Sequence, residues 1–271
     1  MARREDTAPG HFAVLKAARR VWAVAAVHGE AARLDRLHAL IWERLRDGDG
    51  LVYTGNILGR GDDPAGALDR AILFRRAVIA RPRAIVEDVA FLRGAQEEMW
   101  SKLLQLQFAP NPREVLDWML ANGMAATLAA YGGDEAEGRD AARKGVMALT
   151  HWTQRLRGAQ NARPGHSHLF AALRRAAYTD DGRLLFVNAG IDTARPLEAQ
   201  ADSFWWGGGR FGSMAEPYGG FLKVVRGYDP SHGGPARGPH AITLDGGCGF
   251  GGPLVAACID AGGEVADWIE A

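Results

Sequence analysis

An unbroken apolar run, Val21-Trp22-Ala23-Val24-Ala25-Ala26-Val27, leads straight into His28-Gly29-Glu30. A strand with one wet face alternates polar and apolar residues. A run without alternation suits a strand buried on both faces, which needs a sheet covered by helices. The first such helix follows at once: Leu34, Leu37, Leu40, Ile41 and Leu45 recur at helical spacing across Glu30–Leu45. Three more apolar strand ends carry polar residues just past them. They are Tyr53-Thr54-Gly55-Asn56, Phe91-Leu92-Arg93-Gly94-Ala95-Gln96-Glu97-Glu98 and Leu185-Phe186-Val187-Asn188-Ala189-Gly190.

The rest of the chain sorts around these ends. Residues 1–19 are polar and Ala-rich and read as a loose arm. Leu51–Tyr53 reads as a strand, Ala65–Phe74 as a helix, and Ala77–Ile79 and Ala84–Glu87 as short strands. Strands alternating with helices predict an α/β layered domain over 20–271. From about 99 to 180 the pattern turns helical and reads as an insertion, because strands resume after Arg183. Inside it, Asn111-Pro112-Arg113-Glu114 is a helix start, and Glu135–Leu156 reads as one amphipathic helix. Leu184–Val187, Phe221–Val225 and Ala241–Leu244 are the later strands, separated by glycine-rich turns.

Bulk properties narrow the function. Thirty-two basic residues balance thirty-two acidic ones, so no global basic field favours nucleic acid or an anionic membrane. No stretch approaches the ~18–20 apolar residues of a membrane span. No apolar run near the start of the sequence has signal-peptide length. Cys248 and Cys258 have neither zinc nor redox spacing, which predicts a reducing cytoplasm.

In order along the chain, Ala25-Ala26-Val27-His28-Gly29, Gly55-Asn56-Ile57-Leu58-Gly59-Arg60-Gly61, Gly94-Ala95-Gln96-Glu97, Asn188-Ala189-Gly190 and Arg226-Gly227-Tyr228-Asp229-Pro230 form a series. It resembles the motif series of the calcineurin-like metallophosphoesterases, in the bacterial serine/threonine protein phosphatase and diadenosine tetraphosphatase branch. That series reads Gly-Asp-x-His-Gly, Gly-Asp-x-x-Asp-Arg-Gly, Gly-Asn-His-Glu, His-Ala-Gly and His-Gly-His-Thr-Pro. The likeness runs from about Arg20 to Ile259, with Leu244–Gly252 resembling the last strand and turn. It implies a four-layer α/β/β/α sandwich, phosphoester hydrolysis and two divalent metals such as Mn, Fe or Zn.

The departures fall on the metal positions. These are Ala26, His28, Asn56, Ala95, Asn188 and Arg226, of which His28 alone is a standard ligand. Gln96 stands where the family places its general acid, and Gly59 where it places a second Asp. Two divalent ions need anionic oxygens to offset their charge. Asn56 is neutral, Ala26 and Ala95 have no donor atom, and a guanidinium repels cations. The expectation is therefore a protein with no metal cofactor and no catalytic residue: a pseudophosphatase with a binding or regulatory role. His28, Asn56, Arg60, Asn188 and Arg226 are the candidate anion site for a phosphorylated partner or phosphate-containing ligand. The bland reading is a dead cleft filled by these side chains. The alternatives are an active metallophosphoesterase with altered ligands, cutting phosphoproteins or dinucleoside polyphosphates, and a structural subunit that engages a protein through other surfaces. Neither nucleic acid nor membrane is an expected partner.

Weaker signals have simpler readings. Gly247-x-Gly249-x-x-Gly252 reads as a turn, since too little chain follows for a dinucleotide-binding unit. His166 and His168 read as packing or surface histidines. Glu97 and Glu98 read as structural caps or pairs. Trp118, Trp152, Trp205 and Trp206 read as core before interface.

Overall fold

The computed structural model describes residues 11–207 and 211–271. In chain order the elements are β1 (Phe12–Leu15), β2 (Arg20–Val24), α1 (Ala31–Arg44), β3 (Asp49–Tyr53), α2 (Pro64–Ile79), β4 (Val89–Phe91), α3 (Ala95–Leu103), α4 (Pro112–Met119), α5 (Ala125–Ala130), α6 (Glu135–Lys144), α7 (Val146–Ala162), α8 (His166–Ala172), β5 (Ala176–Thr179), β6 (Leu184–Val187), α9 (Ser203–Trp206), β7 (Lys223–Arg226), β8 (Ala236–Arg237), β9 (Ala241–Thr243), β10 (Val255–Asp260) and β11 (Val265–Glu270).

Two mixed sheets form, ordered β11-β10-β2-β3-β4 and β1-β5-β6-β7-β9-β8. The two-residue period of each strand divides its side chains between layers. Val21 and Ala23 of β2, Val52 of β3, Phe186 of β6 and Val225 of β7 meet in a core between the sheets. Trp22, Val24, Leu51 and Tyr53 face outward and are covered by α1, α2 and the helical layer. On the second sheet Leu185, Val187 and Val224 face outward beneath Phe204, Trp205 and Phe211. Among the described residues that layer is thin, with one four-residue helix and short 3-10 turns. The result is the α/β/β/α sandwich.

Several sequence readings are corrected. Phe12–Leu15 is not part of a loose arm: it pairs in parallel with β5, Phe12 opposite Ala176. Residues 1–10 of that expected arm lie outside the described residues. β2 ends at Val24, and Ala25–Val27 is loop whose amides bond Val255, Gly227 and Asn56 carbonyls. Ala77–Ile79 continues α2, and the next strand begins at Val89, not Ala84. The predicted helix Glu135–Leu156 breaks at Gly145, whose φ of 98° ends α6 before α7 starts. β5 lies within the span read as helical, because strand pairing to β1 overrides its Ala-rich composition. Among the described residues no helix is long and apolar enough to cross a membrane.

Candidate functional site

Loops at the C-terminal ends of β2, β3, β4, β6 and β7 converge, and backbone bonds tie them together. The Asn56 carbonyl accepts the amides of Val27 (3.0 Å) and His28 (2.7 Å), and the Asn188 carbonyl accepts those of Gly227 and Tyr228 (3.0 Å each). Gly227 passes so close to Thr54 that a Cβ there would collide with its hydroxyl, which is already bonded to the Val24 carbonyl.

Glu97 fixes two of these loops. Its carboxylate accepts the buried amides of Asn56 (2.8 Å), Leu58 (3.0 Å) and Gly94 (2.9 Å). The Gly94 bond is half of a capping box at the start of α3. Burial pushes the Glu97 carboxyl above its ordinary pKa, and the three amides partly offset this. Neighbouring Glu98 is half-buried and pairs with Arg93 and Lys102.

His28 is the centre of the site. It is 1% exposed, and its φ of 52° lies in the left-handed region that costs a non-glycine residue roughly 1–2 kcal/mol. Asn56 (φ 53°) and His232 (φ 51°) share that conformation. The imidazole packs edge-on against Tyr228 and Phe250, with ring centroids at 5.4 and 5.3 Å. Burial first, then the nearby Arg60 charge, lowers its pKa to about 3, so the ring is neutral at neutral pH. Neither ring nitrogen has a hydrogen-bond partner, and Asn56 Nδ2, Gln96 Oε1 and Asn188 Oδ1 lack one too. These are five of the seven such buried side-chain atoms among the described residues. The strain and the orphaned polar atoms therefore gather in one place.

The helical layer reaches this site. Gln96 Nε2 donates to the Asn122 carbonyl at 2.9 Å. Asn122 lies in a kinked π-turn, 120–124, where Gly123 takes φ 98° and packs against the Arg60 side chain. Such π insertions are common beside functional sites.

Compared with solved structures, the chain matches one assigned as a diadenosine tetraphosphatase over 95% of its own length and 97% of the other, with 18% identity and TM-score 0.55. It matches a protein serine/threonine phosphatase from Saccharomyces cerevisiae over 95% and 82%, with 12% identity and TM-score 0.51. The fold is the one these two phosphatases share. Scanned against family models and curated proteins, the sequence matches none.

Metallophosphoesterase metals do not fit this donor set. His28, Asn56 and Asn188 bring neutral donors, and Asn56 Oδ1 is already occupied by the Gln96 amide at 3.0 Å. Ala26 and Ala95 are buried methyl groups. Glu97 is consumed by its three amides, and Asp245, a second buried carboxylate near these loops, accepts the amides of Asp229 and Gly247 (2.9 Å each). Among the described residues no group of three His, Cys, Asp or Glu side chains is placed to hold a metal ion.

Of the five candidate anion ligands, four gather here. His28, Asn56 and Asn188 are fully buried, and Asn188 Nδ2 is bonded to the Thr54 carbonyl at 2.8 Å. Arg60 lies exposed above them, its guanidinium 4.9 Å from the Phe250 ring centroid. Arg226 does not join them. It is on the outward-facing register of β7 with Val224, and its guanidinium bonds Thr243 (2.9 Å), pairs with Asp229 (3.0 Å) and stacks on Phe211 (4.6 Å). The residue of that motif that faces His28 is Tyr228. Gly59 also belongs: a side chain there would meet His28 Nδ1 at 2.7 Å. Sequence reasoning missed Tyr228, His232, Phe250 and Asn122. For Tyr228 the signal was present, since the motif's second His falls on it. The others sit in loops or in the insertion and had none.

Proposed function

We propose that this chain is a pseudophosphatase, which binds where its fold relatives hydrolyse. The observation that carries this reading is the donor set around His28: buried, neutral and without a free carboxylate. Two dications placed there would lack the anionic oxygens that offset their charge, and no lowered-pKa water would be generated without them. Gln96 cannot replace an imidazolium as proton donor. Purified from medium containing Mn, Fe and Zn, the full chain is expected to carry well under one metal equivalent by mass spectrometry. It is also expected to leave p-nitrophenyl phosphate and diadenosine tetraphosphate intact. Two equivalents of metal with turnover of either ester would establish the enzymatic alternative.

The positive role belongs at the rim. Arg60, His232 and Phe250 are the exposed or half-exposed groups above His28. A protein partner with a phosphoryl group would pair it with the Arg60 guanidinium, while the buried amides below offer no cation to draw a dianion inward. Titration with phosphoserine peptides is expected to weaken at least tenfold in Arg60→Glu and to be unchanged in Arg226→Gln. The reverse pattern would return the anion site to Arg226. Two free, buried thiols, Cys248 and Cys258, suit a reducing cytoplasm for this role.

A further inference from the structure

Away from His28, β1 ends one sheet and β4 ends the other, and a groove of about 1150 Å³ runs along the seam. Its apolar floor comes from Phe12 and Val14 of β1, Val89 and Phe91 of β4, Ile72 of α2 and Leu169 of α8. Its rim is cationic. Arg75, Arg76 and Arg174 line it, and its one carboxylate, Glu87, is paired with Lys16 at 3.2 Å. Among the described residues no carboxylate pairs with any of the three arginines; Arg174 bonds the Ala172 carbonyl at 3.0 Å. In a chain whose 32 basic and 32 acidic residues cancel, three unmatched guanidiniums on one apolar groove are a local excess.

The shape disfavours an added peptide strand. The two sheet edges are tied at one end by Arg174 N to the Phe91 carbonyl and Arg175 N to the His11 carbonyl, and at the other by Ala17 N to Asp88 Oδ1. These ties hold β1 and β4 against each other, which disfavours insertion of an extended chain between their edges. What the groove offers is apolar surface beside guanidiniums, at about the volume of small-molecule sites.

We propose that this groove binds a single-chain carboxylate amphiphile, with its acyl tail along the Phe12–Phe91 floor and its carboxylate against Arg75 and Arg76. Bidentate geometry suits guanidinium and carboxylate. Each methylene buried should tighten binding about three- to fourfold.

Calorimetric titration of the full chain with decanoate, dodecanoate and dodecanol, all below their aggregation limits, tests this. Saturable one-to-one binding is expected, about tenfold tighter for dodecanoate than decanoate and at least tenfold weaker for dodecanol. The Arg75→Glu/Arg76→Glu pair should weaken dodecanoate at least tenfold. The Arg75→Gln/Arg76→Gln pair, which keeps the side-chain stems packed, should show the same direction of loss if the reversal unfolds the chain. Equal affinity for dodecanol and dodecanoate, insensitivity to both variants, absence of saturation, or capture only on anionic vesicles would each overturn the proposal. The residues lining the groove are not those around His28, so the outcome is separate from that of the metal and turnover test.

Discussion

Glu97→Ala is expected to cost the fold at least about 3 kcal/mol. The side chain is 2% exposed and accepts three main-chain amides from two different loops. Removing it leaves three buried N–H groups without partners, each costing roughly 1–3 kcal/mol. Native domains of this size hold only about 5–15 kcal/mol in total. Chemical denaturation followed by circular dichroism measures the loss. Glu98→Ala removes the neighbouring half-buried carboxylate and its pairs with Arg93 and Lys102 but strands no main-chain amide, so it should cost less, about 1–2 kcal/mol. A Glu97 loss no larger than the Glu98 loss would mean that the amides find water or new partners and that the loop clamp is unnecessary.

The second large effect is acid lability. His28 and His38 both have pKa values lowered to about 3 from an ordinary 6.5, in each case chiefly by burial. His38 is stacked on Phe74 at 4.0 Å and hydrogen-bonded to the Tyr53 hydroxyl at 2.7 Å. The folded state refuses protons that the unfolded chain accepts below about pH 6.5, so stability falls as pH drops from there towards 3. Each histidine contributes a slope of roughly 1.4 kcal/mol per pH unit, so the pair contributes about 2.7. Because the unfolded chain is only half protonated at pH 6.5, the loss between pH 6.5 and 5 is about 3 kcal/mol. Glu97 and Asp245, whose carboxyls burial raises, act in the opposite sense. Urea midpoints at pH 7, 6 and 5 measure the sum, and His38→Gln should remove about half of the histidine slope. A flat profile across that range would show that both rings can charge in place.

What could be read beforehand depended on whether the information was local. The apolar runs of β2, β3 and β6 announced themselves because burial on both faces leaves no polar residue in them. β1 did not: it is four residues long, and its pairing partner begins at Ala176. Nothing near Phe12 encodes that contact. The motif order located the convergence of His28, Asn56 and Asn188, because glycine turns after strands fix where the chain must bend. It misplaced Arg226, although strand alternation alone puts Arg226 on the face of Val224 and away from the inter-sheet core. The aromatic cover from Tyr228, His232 and Phe250 depends on loop conformation, which no periodicity describes. The same holds for the Asn122 carbonyl, presented by a π-turn within a helical stretch.

The order β11-β10-β2-β3-β4 has a consequence for how the protein comes into being. β2 is formed by residues 20–24, but the strand that covers its second flank is formed by residues 255–260. During synthesis this buried strand therefore waits, with one row of amides and carbonyls unsealed, while the second sheet and the helical layer are being translated. Nascent chains should be sticky throughout that interval and should depend on holdase chaperones. Release should coincide with the arrival of Val255–Asp260, not with completion of the helical layer.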